Sequence, residues 1–297
     1  MSIDFGAPVL AAALVALVAG LFQRRLRPKD AARSLTVACV AVAAASVWAL
    51  LTLVLGAVAE IPVVDGWASW CSQLSHADDH ASWWTGLAAG TLISAMAVRA
   101  VRSAGSQRRT RRRLPSCDDG VLIIDNSQPA AYAVPGRHGG VVVSTGMIDA
   151  LERPEQAVLW AHERSHLAHH HHRYLIASEL AAAIVPPLRR LADQVHFATE
   201  RWADEDAASA VGGDRPLVAR AIARAALASV DHQRSAMALA DTGVAERVRA
   251  MVDGDRPFLA PLVGGSLMVA VMASTLAGSG LQFHHLLAFV AHVCQGS

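Results

Sequence analysis

Long apolar runs occupy the first third and the end of the chain, and a polar stretch with shorter periodicities lies between them. Residues 5–22, 35–59, 83–101 and 258–277 are apolar over close to the roughly 20 residues that a helix needs to cross a hydrocarbon core. Each is therefore expected to span a membrane. The first is expected to stay as an anchor, because Asp4 precedes it and the basic cluster follows it, the reverse of a cleavable signal. Trp83 and Trp84 suit an interfacial belt, and Arg99 can snorkel to the headgroups.

The polar stretch divides into two halves. Residues 121–124 and 132–134, the turn Pro135-Gly136 and residues 141–144 read as short strands. From Pro154 the apolar spacing is helical, and a second helix is expected to start near Pro186-Pro187 and end by Gly212-Gly213. Two further helices are expected over about 216–230 and 244–252. The apolar segment 174–185 is short and holds Glu179, so it is expected to pack on the domain or lie on the membrane surface without crossing it. The expected fold is a mainly α integral membrane protein with four transmembrane helices and an α+β domain of small sheet plus helices. The division is 1–113 for three spans, 114–257 for the polar domain and 258–297 for the fourth span with a short tail.

Charge sets the orientation. Arg24, Arg25, Arg27, Lys29 and Arg33 follow the first run, and Arg99, Arg102, Arg108, Arg109, Arg111, Arg112 and Arg113 surround the end of the third. Residues 60–82 carry acids and no Lys or Arg, so the basic loops and the domain are expected in the cytoplasm and both termini outside. A net charge of +1, with the arginines beside apolar runs, gives no basic face for nucleic acid. Affinity of the arginine run for anionic lipid is an expected by-product. Lys29 as the sole lysine and the abundance of alanine suit a GC-rich bacterial genome. Cys39 and Cys117 fall in a span and in the reducing cytoplasm, which leaves Cys71 and Cys294 as the candidate disulfide, outside.

The chemistry is carried by His162-Glu163-Arg164-Ser165-His166. Residues four apart share a helix face, so both imidazoles can reach one metal while Glu163 addresses a water on it. A hydrolytic zinc takes three protein ligands and an open position, which leaves the third to be found. His170 lies about 12 Å along a straight helix from His162, too far. His172 stands where the metzincin spacing has its third histidine, but His169 replaces the glycine that turns that chain. Glu200 is favoured, on the next predicted helix, with Asp204 one turn on to orient a ligating imidazole. The tract His169 to His172 reads as a polar helix end, and His284, His285 and His292 as polar interfacial residues. Tyr132, Tyr174, His196 and Arg201 are the candidates for an oxyanion donor. Val141, Val142, Val143 and Ser144 are candidates for holding substrate backbone by strand addition, if they form a sheet edge.

Three spans, His-Glu-x-x-His, Glu200-Arg201-Trp202-Ala203-Asp204 and a fourth span together resemble the BlaR/MecR-type membrane zinc peptidases, related to the HtpX/Ste24 peptidases. The stretch 131–147 is similar to the strand that borders the cleft there. The resemblance implies a zincin-like domain of gluzincin type with one Zn2+ on His162, His166 and Glu200, Glu163 as general base and Asp204 behind the ligands. Residues 278–297 are too few for the penicillin-binding sensor of the β-lactam receptors, so that domain is expected to be lacking. The function implied is cleavage of a cytoplasmic protein, a BlaI-like repressor in a signalling pathway, in a bacterial plasma membrane. An HtpX-like quality-control protease and a non-catalytic zinc-dependent scaffold are the alternatives.

Overall fold

A computed structural model describes residues 26–59, 83–113, 115, 120–136, 139–230 and 237–253. Two long helices, α1 (Pro28–Ala59) and α2 (Trp83–Arg113), are followed by strands β1 (Gly120–Ile124), β2 (Ala131–Val134) and β3 (Gly140–Ser144). Six helices complete it: α3 (Thr145–Ala150), α4 (Arg153–Ala168), α5 (His171–Ile184), α6 (Arg189–Ala210), α7 (Arg215–Val230) and α8 (Met237–Asp253). The stretches 28–51 of α1 and 84–112 of α2 are long and apolar enough to cross a membrane. They overlap the second and third expected spans, 35–59 and 83–101, with shifted bounds. The expected spans 5–22 and 258–277, the loop 60–82, Cys71, Cys117, Cys294 and the three tail histidines lie outside the described residues.

The sheet is mixed, in the order β1-β3-β2, with β1 parallel and β2 antiparallel to β3. This overturns the edge reading of Val141 to Ser144. β3 is the central strand, its backbone paired on both sides and every residue buried, so it has no free hydrogen-bonding edge. The run Val141-Val142-Val143 is the continuous apolar signature of a strand covered on both faces. Ser144 then caps α3, its Oγ accepting from the Met147 amide. Gly146 is required beside it, because a Cβ there would lie 2.2 Å from the Ser127 carbonyl oxygen.

The helix bearing the two motif histidines starts with a capping box between Glu152 and Glu155 and with Pro154 in its first turn. It ends at His169–His170, where His170 takes a left-handed conformation (φ 53°) and sends α5 off in a new direction. The 3-10 turn Pro186–Leu188 then reverses the chain, and α6 returns antiparallel to α5. The predicted helix after Pro186-Pro187 is thus present, and 174–185 is a helix packed on its neighbours.

That hairpin is packed onto α1. Leu35 and Ala38 meet Val195, Ala31 and Ala32 meet Ala198 and Trp202, and Cys39, Val42, Ala43 and Ala45 meet Ala181, Ala182, Leu188 and Ala192. Small residues on both sides let the backbones approach closely. Farther along α1, Gly90 of α2 faces Val54. A second core, Val158, Ala207, Val218, Ile222 and Met251 among others, joins α4 and α6 to α7 and α8. Because α5 leaves and α6 returns on the same side, topology reporters inserted beside Asp149 and beside Asp193 should read the same compartment. Opposite readouts would be incompatible with the hairpin.

Candidate metal centre

The helix α4 carries His162 and His166 one turn apart, and α6 crosses it with Glu200 facing them. His162 Nε2 and His166 Nε2 are 3.1 Å apart, and each lies 3.5 Å from a Glu200 carboxylate oxygen. Donors that share a tetrahedral zinc at about 2.0–2.1 Å stand roughly 3.3 Å from one another, so this spacing matches the ion without rearrangement. Two imidazoles and one carboxylate are also the donor set of hydrolytic zinc, with a position left for water. The other ring nitrogens are held from behind. Asp204 Oδ1 stands 3.1 Å from His162 Nδ1, and His171 Nδ1 stands 2.9 Å from His166 Nδ1. The residues present therefore fit a zinc ion, with His162, His166 and Glu200 as the group that can hold it.

Glu163 is buried beside the histidines and lines the same cleft. Burial pushes its carboxyl above the usual range, against the pull of His162, the backbone N–H of Ala133 and Arg247. The Ala133 amide ties it to β2, so the strand next to the cleft fixes this side chain. Burial also opposes ionisation of Glu200 and Asp204, yet the His162 hydrogen bond and the Arg247 charge hold Glu200 well below its usual range, and hydrogen bonds from Arg247 and His162 lower Asp204. Arg247 donates to Asp204 through Nε (2.8 Å) and Nη2 (2.7 Å) and pairs with Glu200 at 2.9 Å.

The cleft has a volume of about 250 Å³. One end is polar, formed by His162, Glu163, Glu200, Asp204 and Arg247; the remainder is walled by Met147, Leu151, Leu159, Ile222, Ala225 and Val244 among others. Of the proposed oxyanion donors, Tyr132, Tyr174, His196 and Arg201 do not line it. Tyr174 packs behind the site against His171 and Trp202, and Arg201 pairs with Glu205. The cation in the cleft is Arg247, which sequence reasoning missed. Its signal was available: it interrupts the stripe Val244–Val248–Met251, where a charge on a core-facing row needs a partner.

The histidine tract is also more than a polar helix end. His169 pairs with Asp206 and stacks on Trp202, and His171 is fully buried against His166. His172 stays out of the metal group even though the chain turns before it, because the turn at His170 aims His171 inward.

Comparison with known proteins gives a consistent picture. The match is to Peptidase family M48, over residues 101–245. A protein named Protease HtpX homolog from Thermodesulfovibrio yellowstonii is 39% identical over 80 residues, 26% of this chain and 27% of the relative. Another of that name, from Acidiphilium cryptum, is 46% identical over 52 residues, 16% of this chain and 18% of the relative. The chain therefore matches about a quarter or less of the length of these curated relatives. No solved structure gives a significant match. These similarities agree with the HtpX/Ste24 side of the expected resemblance and say nothing of its BlaR/MecR side.

Two outcomes follow from the electrostatics. Arg247→Met takes from Glu200 and from Asp204, with none of its side chain exposed, one of the two cationic partners, Arg247 and His162, that hold them; removing one partner of a buried pair costs about 3–5 kcal/mol, readable as a lowered midpoint in denaturant. The second concerns protons. Burial alone lowers the affinity of His162 for a proton, but its bonds to Asp204 and Glu200 outweigh it and raise the pKa to about 10. A raised folded pKa stabilises the metal-free protein below about pH 6.5 and fades as pH rises towards 10. A metal on His162 displaces that proton, so zinc affinity should rise about tenfold per pH unit across this window. Competition titrations with a chelating dye at pH 7, 8 and 9 would show it, and a flat profile would refute it.

Proposed function

We propose that the chain is a membrane-bound zinc endopeptidase that cleaves proteins at or near the membrane, an HtpX-like activity. The observation that carries this reading is the convergence of His162, His166 and Glu200 with all ligand atoms within 4.8 Å, beside a buried Glu163 at the head of a cleft. Support for the membrane comes from the two candidate spans and from the HtpX-homologue similarities. The full arrangement, four spans with both termini outside and the peptidase unit in the cytoplasm of a bacterium, belongs to the same proposal. Cleavage of a BlaI-like repressor has no observation in its favour beyond the sequence resemblance. A zinc scaffold without catalysis is disfavoured by Glu163, a carboxylate held in a cleft where a structural site would have no use for it.

Bound zinc supplies Lewis acidity and makes water acidic enough to be deprotonated near neutral pH. Glu163, its carboxyl raised by burial, takes the proton from the attacking water and delivers it to the leaving amine. The Ala133 amide keeps that carboxylate in place through both transfers. Asp204 holds His162 by Nδ1, so that Nε2 faces Glu200. The apolar wall of the cleft, Leu159, Ile222 and Val244 among its residues, receives an apolar substrate side chain and keeps bulk water away. With β3 enclosed, the sheet edge open to substrate backbone beside the cleft is that of β2, whose Ala131 lines it.

Glu163→Gln should retain zinc and lose activity about a hundred- to ten-thousand-fold, whereas Glu200→Ala should lose both. Zinc content and peptide cleavage of the two purified variants decide the assignment; a Glu200→Ala protein that binds zinc normally would overturn it. Comparing protein termini in membranes that hold the wild type or Glu163→Gln separates the substrates. Many fragments of membrane proteins are expected, and a single cut repressor would favour signalling.

A further inference from the structure

The two ligating imidazoles are supported differently. His162 gives its Nδ1 to a carboxylate, Asp204, which accepts, so in the neutral, metal-binding form of His162 the proton stays on Nδ1 and Nε2 is bare. His166 has no carboxylate behind it. Its Nδ1 meets His171 Nδ1 at 2.9 Å, two ring nitrogens that share one proton. If His171 donates, His166 carries its own proton on Nε2, the atom 3.1 Å from His162 Nε2 and 3.5 Å from Glu200, and the ligand position is blocked. If His166 donates, its Nε2 lone pair faces the other two ligands.

Resting on the zinc reading above, we propose that His171 is a positioning residue of the metal centre, accepting the Nδ1–H of His166 and so holding that ligand in its metal-binding tautomer. His171 is suited to it by its confinement. Its side chain has no exposure, and its ring is packed by Trp202 (4.8 Å), His169 (5.8 Å) and Tyr174 (6.4 Å). The left-handed residue His170 aims it there; a continuous helix would carry position 171 away from His166. The accepting form puts the remaining proton of His171 on Nε2, a buried atom with no hydrogen-bond partner in the described structure. An unsatisfied buried donor is retained at a cost, and this one lies directly behind a ligand. Unlike Asp204, the imidazole orients without adding negative charge, at a site already holding Glu163, Glu200 and Asp204.

The test uses the full chain and zinc alone. His171→Leu keeps the apolar packing, removes the acceptor and also removes the unpaired Nε2, so the metal-free protein should be as heat-stable as the wild type or more so. Its zinc dissociation constant should rise about 10- to 100-fold. His171→Asn puts an acceptor oxygen where Nδ1 stood and should recover most of the affinity. Wild-type affinity in the folded Leu variant would overturn the proposal; if that variant fails to fold, an Asn variant that folds but binds as weakly as His166→Ala would do so. A wild-type protein that binds no zinc would instead defeat the zinc reading itself, so the two failures are distinguishable.

Discussion

The arrangement depends on how Arg247 balances charge among largely buried carboxylates. Three carboxylates, Glu163, Glu200 and Asp204, line one cleft on two helices. Two of them, Glu200 and Asp204, stay ionised because His162 and one guanidinium bear on both. Its planar fork, with Nε and Nη2 on Asp204 and Nη1 on Glu200, matches this geometry in a way an ammonium group cannot. The contact also fixes α8 over the cleft. Met251, one turn on, is buried in the core shared by α4, α6 and α7, so the apolar and ionic contacts of α8 are mutually consistent. Removing the cation would leave a charge imbalance and hold α8 by its apolar contacts alone.

Much of the fold was legible because periodicity is a local property. Pro154, the capping acids and the apolar spacing define α4, and Pro186-Pro187 followed by Leu188, Leu191 and Val195 defines the return of α6. The pair His162 and His166 could be read from spacing alone, since four residues make about a turn on any α-helix, whereas Glu200 rested on the motif that follows. What escaped depends on tertiary pairing. Whether Val141 to Ser144 is an edge or a centre follows from the partners β1 and β2, and a run of three valines is compatible with either until they are known. His171 was hidden by the break at His170: extrapolating a helix through the histidine tract assigns its members to the wrong faces. Arg247 lies 43 residues from Asp204, beyond any local pattern.

Electrostatics and packing meet in the aromatic cluster behind the site. Trp202 follows Glu200 by two residues on α6, so it faces away from the ligands and stacks on His169 while touching His171 and Tyr174. Asp206 then anchors His169 and accepts from Ser165 at 2.6 Å. The ligand helix α4, the turn after it and α6 are thereby fastened on both sides of the metal position. A metal site benefits from such rigidity, because small displacements of ligands weaken both binding and orientation.

The guanidinium of Arg33, on α1, lies 5.2 Å from the Trp202 ring centre, and the flanking Ala31, Ala32, Leu35 and Ala38 are buried on α6. The wall behind the candidate metal site is thus completed by a helix whose sequence also suits it to a lipid bilayer. A fragment trimmed to the polar segment would present a bare strip of alanine and valine along α6, together with the unsupported face of Trp202. Such a strip self-associates in water. The polar segment and the apolar helix α1 thus share one packed interface.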